Sequence, residues 1–123
     1  MKSGRRVIAL IEDDPLVRVP LAQGLDGAGY FVIGAATGPE ALALLEDADI
    51  DLALVDIKLP GRLDGLGVIR AALRTNPKLR AILMSGQRPS EDVSAMGPFI
   101  TKPFRLPDLL ALVADVIGKP SAS

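Results

Sequence analysis

Short apolar runs alternate with longer stretches whose apolar residues recur every three or four positions, and this alternation fills the chain. Val7 to Ile11 is an unbroken apolar run closed by Glu12-Asp13-Asp14, the pattern of a strand buried on both faces. Asp14 suits a helix cap and Pro15 the first helical position. Leu21, Leu25 and Ala28 then share one helical face, and Gly29 ends the helix. Pro20 sits inside that pattern, forfeits a backbone bond and is expected to bend the helix. Tyr30 to Ile33 predicts a second strand. Thr37 or Gly38 opens a second helix with Ala41, Leu42 and Leu45 facing inward.

The stretch Asp51 to Asp56 holds Leu52-Ala53-Leu54-Val55 between two acids, just before a Pro60-Gly61 turn. It predicts a third buried strand with Asp56 as its last residue. Leu66, Ile69 and Leu73 mark a third helix stopped by Asn76-Pro77. Arg80 to Met84 reads as a fourth strand leading into Ser85-Gly86. Ser90 then caps at most two turns of helix before Gly97-Pro98, and Phe99 to Lys102 is a fifth short strand. Pro107 opens a final helix whose apolar stripe is Leu106, Leu109, Leu110, Val113, Val116 and Ile117. Each such side chain contributes roughly 1.5–3 kcal/mol when fully buried. Lys119 to Ser123 is a small polar tail, expected to fray.

Five strands alternating with helices predict an α/β fold with a doubly wound parallel sheet. With right-handed crossovers, the flavodoxin-like order 2-1-3-4-5 sets strands 1 and 3 side by side. Glu12 and Asp13 then lie next to Asp56 in the crevice at the switch point. The 123 residues form a single domain, with an ordered core over about 5–118 and the tail at 119–123.

Composition narrows the chemistry. The chain has no cysteine and no histidine, which removes disulfides, thiol chemistry, imidazole acid–base work and a phosphohistidine role together. A net charge of -1 and the absence of tryptophan argue against a nucleic-acid surface. Lys2 to Arg6 before the first apolar run imitates a signal peptide, but the run is too short and ends in acids. No apolar stretch approaches membrane length. A cytoplasmic protein without membrane contact is expected.

Three carboxylates converging within a few ångströms need a compensating cation. Oxygen donors without His or Cys point to a hard divalent ion, Mg²⁺ or Mn²⁺. The fourth strand ends in Ser85, a hydroxyl able to donate to an oxyanion, and the fifth ends in Lys102, a mobile point charge. Metal, hydroxyl and ammonium around one aspartate describe phosphoryl transfer to a carboxylate. Taken singly, each residue has a plainer explanation. Asp56 caps a turn, the acids complement a helix start, Ser85 belongs to a turn, Lys102 is a solvated strand end and Phe99 is core.

Ile11-Glu12-Asp13-Asp14-Pro15, Val55-Asp56-Ile57-Lys58-Leu59-Pro60-Gly61 with Asp64-Gly65, Met84-Ser85-Gly86 and Phe99-Ile100-Thr101-Lys102-Pro103-Phe104 together resemble the signature set of response-regulator receiver domains of bacterial two-component signalling. The resemblance runs from the first strand to the last helix. It implies that Asp56 is the phosphoacceptor, that Asp13 binds Mg²⁺ directly and Glu12 largely through water, and that the Lys58 carbonyl is a further ligand. It also implies that Ser85 is the switch hydroxyl, that Lys102 contacts the phosphoryl oxygens, that Phe99 is the rotating aromatic and that the Lys102-Pro103 bond is cis. The implied partners are a histidine kinase or phosphotransfer protein and a downstream protein, with no enzyme activity beyond its own phosphotransfer and dephosphorylation, while the short stretch left for a fourth helix, Ser90 to Met96, leads to the expectation of a monomer or weak dimer.

The chain departs from the family pattern in three places. One extra residue lies between Pro60 and Asp64, Ser85 to Lys102 is several residues short, and Pro20 lies in the first helix. A different class of function, a pseudo-receiver serving as an interaction module without phosphorylation, is opposed by the intact Glu12, Asp13, Asp56, Ser85 and Lys102. A metal-dependent phosphohydrolase would want a further acid or base to activate water. Nucleotide binding lacks both GxGxxG and a P-loop. Because the sequence stops after its last helix, a stand-alone regulator or a receiver excised from a longer protein is expected, with no output domain attached.

Overall fold

The computed structural model describes residues 4–121. Apolar runs become interior strands where helices cover both faces. β1 (Val7–Ile11), β3 (Leu52–Asp56) and β4 (Ala81–Ser85) are buried at every position, the environment that a continuous apolar run requires. β2 (Phe31–Ala35) and β5 (Phe99–Thr101) are partly covered and form the edges. The sheet has five parallel strands in the order β2-β1-β3-β4-β5, as the sequence pattern predicts.

Strand alternation divides the core into two layers. Val7, Ala9, Ile11, Ala53, Val55 and Leu83 pack with Ala41 and Leu45 of the α2 side (Gly38–Leu44) and with Val68, Ile69 and Ala72 of α3 (Gly65–Thr75). On the opposite face Ile8, Leu10, Leu52, Leu54, Ile82 and Met84 meet Leu21 and Leu25 of α1 (Pro15–Gly27) and Leu109, Val113 and Ile117 of α4 (Leu106–Ile117). The first three helices start on side-chain caps. Asp14 accepts from the Leu16 N–H, Thr37 from Glu40 and Asp64 from Gly67, each worth about 1 kcal/mol. α1 continues through Pro20 as one element.

One expectation is narrowed by the structure, and two change. The stretch fenced by Pro89 and Pro98 forms turns and no helix, so the short or irregular fourth helix is present only in its irregular form. Local bonds take the groups a helix would use: Asp92 accepts from the Ser94 N–H, and Met96 N–H donates to the Val93 carbonyl. Val93 is buried, and Gly97 (φ 149°) lies so close to β4 that a Cβ there would stand 2.1 Å from the Ala81 carbonyl oxygen. Leu106 is 37% exposed rather than part of the buried stripe, because as the first residue of α4 it lies over Gly24 of α1. The tail is paired as far as Ser121. Arg6 N–H and Nε donate to the carbonyls of Pro120 and Lys119, and Arg5 bridges Ser121. Ala122 and Ser123, the rest of the expected frayed tail, lie outside the described residues. No helix among the described residues is long and apolar enough to cross a membrane.

One buried hydroxyl fastens the end of α4 to the start of β2. Tyr30, 2% exposed, donates to the Gly118 carbonyl at 3.0 Å. Burial holds its phenol above the ordinary value of 10.0, against the opposing charge of Arg6. A raised folded value means that this contribution is complete below pH about 10 and is lost as pH rises through the folded value. Tyr30→Phe is expected to cost about 1 kcal/mol at neutral pH and to flatten the alkaline loss of stability. Urea unfolding at neutral and alkaline pH checks both. An equal alkaline loss in the two proteins contradicts the assignment.

Candidate functional site

Parallel register delivers the candidate residues to one edge of the sheet. Ile11 pairs with Val55, Asp56 with Met84, and Ser85 with Thr101. Glu12, Asp56, Ser85 and Lys102 therefore emerge at the carboxyl ends of four adjacent strands, where open α/β sheets form their ligand crevice. Close packing of the backbone holds the turn after Asp56 in place. A Cβ on Gly65 would lie 2.1 Å from the Asp56 carbonyl oxygen, so only glycine fits the start of α3 against the end of β3. This accounts for glycine after the Asp64 cap.

Asp56, almost fully buried, has donors on both carboxylate oxygens. Oδ1 accepts from the Lys58 N–H at 2.9 Å, and Oδ2 accepts from Lys102 Nζ at 2.9 Å. Lys102 Nζ also donates to Glu12 Oε1 at 2.5 Å, while Glu12 Oε2 accepts from the Asp14 N–H. Glu12 is 1% exposed. Burial pushes its carboxyl above the usual range, although the Lys102 bond pulls the other way. Burial alone would lower the Lys102 ammonium, but its bonds to Glu12 and Asp56 and their charges outweigh that and hold it above its ordinary value. The Lys102 shift expresses one cation shared between two buried acids, whereas the Glu12 shift is the effect of burial that this cation only partly offsets.

Asp13 stands beside this pair and is exposed. Oxygens of Glu12, Asp13 and Asp56 lie within 4.8 Å of one another. Three acids against one ammonium leave an excess of negative charge, the donors are all oxygen, and Asp13 opens the cluster to solvent. That donor set fits a hard divalent cation.

The remaining sequence candidates divide between this centre and its surroundings. Ser85 is buried, its Oγ accepts from the Gln87 N–H at 3.3 Å, and its carbonyl accepts from Lys102 N–H at 2.8 Å. The Lys102-Pro103 bond is cis. Lys58 belongs to the turn that bonds Asp56, and its ammonium points to Gln87 Oε1 at 2.7 Å. Phe99 pairs with Leu83, two positions before Ser85, packs on the α2–α3 core and has the Arg88 guanidinium 5.3 Å from its ring centre.

Two residues at the centre escape sequence reading. Gln87 ties Lys58 to the turn after β4, and Arg18 Nη1 donates to the carbonyls of Glu12 and Asp13. The position of Arg18, one helical turn beyond the Asp14 cap, is a signal that could have found it.

The profile of the response regulator receiver domain matches residues 8–114. The chain belongs to this family. The receiver is 32% identical over 126 residues to the sensor kinase CckA of Brucella abortus, covering 95% of this chain but 13% of the kinase. It is 32% identical over 108 residues to the response regulator receiver protein CpdR of the same organism, covering 84% of this chain and 89% of CpdR. Among solved structures, the response regulator TrrA of Thermotoga maritima, in complex with Mg²⁺ and BeF, superposes with a TM-score of 0.83 at 26% identity, over 90% of this chain and 98% of TrrA. This receiver is thus a module of two-component systems.

Proposed function

We propose that this receiver takes a phosphoryl group onto Asp56 from the phosphohistidine of a histidine kinase or phosphotransfer protein and passes the signal to a downstream protein. The observation that carries the reading is the sharing of Lys102 Nζ between Asp56 and Glu12, with Asp13 alongside and open to solvent. Asp13 and Asp56 would hold Mg²⁺ (or Mn²⁺) directly, Glu12 largely through water, and the Lys58 carbonyl would complete the protein ligands. The ion supplies charge compensation to the carboxylate and the phosphoryl oxygens. TrrA, similar over most of this chain, carries Mg²⁺ and BeF in its own structure, which supports the choice of ion.

A carboxylate oxygen of Asp56 attacks phosphorus, the P–N bond breaks, and the imidazole nitrogen of the donor keeps the electron pair. Lys102 has three N–H donors, of which Glu12 and Asp56 occupy two, so one is free for a phosphoryl oxygen. Ser85 Oγ accepts from Gln87, which leaves its own proton to donate. The whole chain, 1–123, works as one such unit in the cytoplasm, as a monomer or weak dimer. It is a switch whose only reactions are its own phosphotransfer and dephosphorylation. Mass spectrometry after incubation with acetyl phosphate tests this: one phosphoryl mass is gained with Mg²⁺ and none with excess chelator. Equal uptake in both refutes the metal requirement.

The phosphodonor docks along α1 on this reading. Leu16, Val19 and Leu106 are the large apolar side chains left exposed among the described residues, at 85%, 49% and 37%. A groove of about 600 Å³ runs from Leu16 and Pro20 past Leu106 to Lys102, so it is continuous with the phosphoacceptor centre. Covering Leu16 is worth roughly 1.5–3 kcal/mol. Leu16→Glu is expected to slow phosphotransfer from a purified, radiolabelled histidine kinase of the same genome by about tenfold or more, and to leave acetyl phosphate labelling unchanged. Equal slowing with both donors would place the defect in the chemistry instead.

A further inference from the structure

Arg18 reaches the acidic centre from behind. Its Nη1 donates to the Glu12 carbonyl at 2.7 Å and to the Asp13 carbonyl at 3.3 Å. Both carbonyls belong to the turn between the last residue of β1 and Pro15, the first residue of α1. No main-chain N–H is paired with either among the described residues. A single guanidinium thus satisfies two successive carbonyls whose own residues carry two of the three clustered acids. Bonds from a charged donor are stronger and shorter than neutral ones, and the planar guanidinium loses less freedom per bond than an ammonium does.

The route of the side chain is also specific. Gly34, on the edge strand β2, pairs in register with Leu10 of β1. A Cβ built on Gly34 would stand 3.4 Å from Arg18 Cδ and 4.0 Å from Nε. The Arg18 stem therefore passes the bare backbone at Gly34, in ordinary van der Waals reach of where a Cβ would stand.

We propose that Arg18 is a positioning residue for the metal centre, fixing the turn so that the carboxylates of Glu12 and Asp13 face Asp56. The inference rests on the reading that these three acids hold Mg²⁺. Arg18 also carries a positive charge close to that cation, and this acts in the opposite direction. Loss of positioning weakens Mg²⁺ binding, whereas loss of repulsion alone strengthens it. The sign of the change separates the two.

The test is calorimetric titration of the unphosphorylated full chain with Mg²⁺, comparing wild type with Arg18→Ala, Arg18→Lys and Gly34→Val. Residues that orient metal ligands through hydrogen bonds commonly change affinity by about 10–100-fold. Arg18→Ala is expected to weaken Mg²⁺ by about tenfold. Gly34→Val, which keeps the charge and crowds the Arg18 stem, is expected to weaken it less than Arg18→Ala does, and Arg18→Lys to fall between Arg18→Ala and wild type. Acetyl phosphate labelling should need more Mg²⁺ in Arg18→Ala yet approach the wild-type rate once Mg²⁺ saturates. Tighter binding in Arg18→Ala overturns the proposal in favour of simple repulsion. A lowered melting temperature with unchanged Mg²⁺ affinity in all three variants overturns it in favour of a structural role. No Mg²⁺ binding by the wild type overturns the metal reading itself, and the role of Arg18 with it.

Discussion

Asp56→Asn is expected to abolish phosphoryl uptake, leaving the protein at its unmodified mass after acetyl phosphate and Mg²⁺ treatment that labels the wild type fully. The neighbouring acids are poor substitutes. Glu12 is 1% exposed, with both oxygens already held by Lys102 and the Asp14 N–H. Asp13 is exposed, but no cationic side chain is bonded to its carboxylate among the described residues. Asp56 alone combines a strand-end position, a backbone donor on one oxygen and the Lys102 ammonium on the other. A mass gain in Asp56→Asn equal to the wild type would mean that another residue is the acceptor.

The second large effect is expected at Lys102. Lys102→Ala removes the one cation shared by Glu12 and Asp56, whose side chains are 1% and 9% exposed. Breaking a fully buried pair costs about 3–5 kcal/mol. Lys102 keeps 22% exposure, so on the order of 2 kcal/mol is expected in metal-free protein. Saturating Mg²⁺ should recover most of it by supplying positive charge in place of the ammonium. Signalling is affected separately. The Lys102 N–H donates to the Ser85 carbonyl, so on the proposed function movement of Lys102 toward a phosphoryl group would be transmitted to β4 and β5 and bias a two-state equilibrium. Beryllofluoride should therefore shift the NMR signals of β4 and β5 in wild type and far less in Lys102→Ala. Undiminished shifts in the variant argue against this coupling, and full metal-free stability argues against the shared-cation account.

Much of this centre was legible because parallel register leaves little freedom. Once Val7–Ile11, Leu52–Asp56, Ala81–Ser85 and Phe99–Thr101 are recognised as parallel strands, the residues at their carboxyl ends have to meet at one edge. That reasoning places Glu12, Asp56, Ser85 and Lys102 together without any contact being known in advance. Gln87 was not legible because its bond depends on the path of a turn, which apolar periodicity does not encode, and Arg18 offered only its place one helical turn beyond the Asp14 cap. The same limit explains the β4–β5 connection. Pro89, Gly97 and Pro98 mark it as a poor helix, but the burial of Val93 and the approach of Gly97 to Ala81 are tertiary facts. Leu106 obeys the helical period of α4 yet lies where Gly24 of α1, rather than the sheet, is its neighbour. The pairing of Arg5 and Arg6 with residues 119–121 joins opposite ends of the chain, beyond the reach of any local pattern.

The most direct measurement is a structure of this protein with Mg²⁺ and beryllofluoride. The account predicts the beryllium group on an Asp56 oxygen, Lys102 Nζ and Ser85 Oγ bonded to its fluorides, and the metal among Asp13, Asp56 and the Lys58 carbonyl, with Glu12 reached through water. A beryllofluoride bound elsewhere, or none bound at saturating Mg²⁺, contradicts the assignment of Asp56 as a metal-assisted phosphoacceptor.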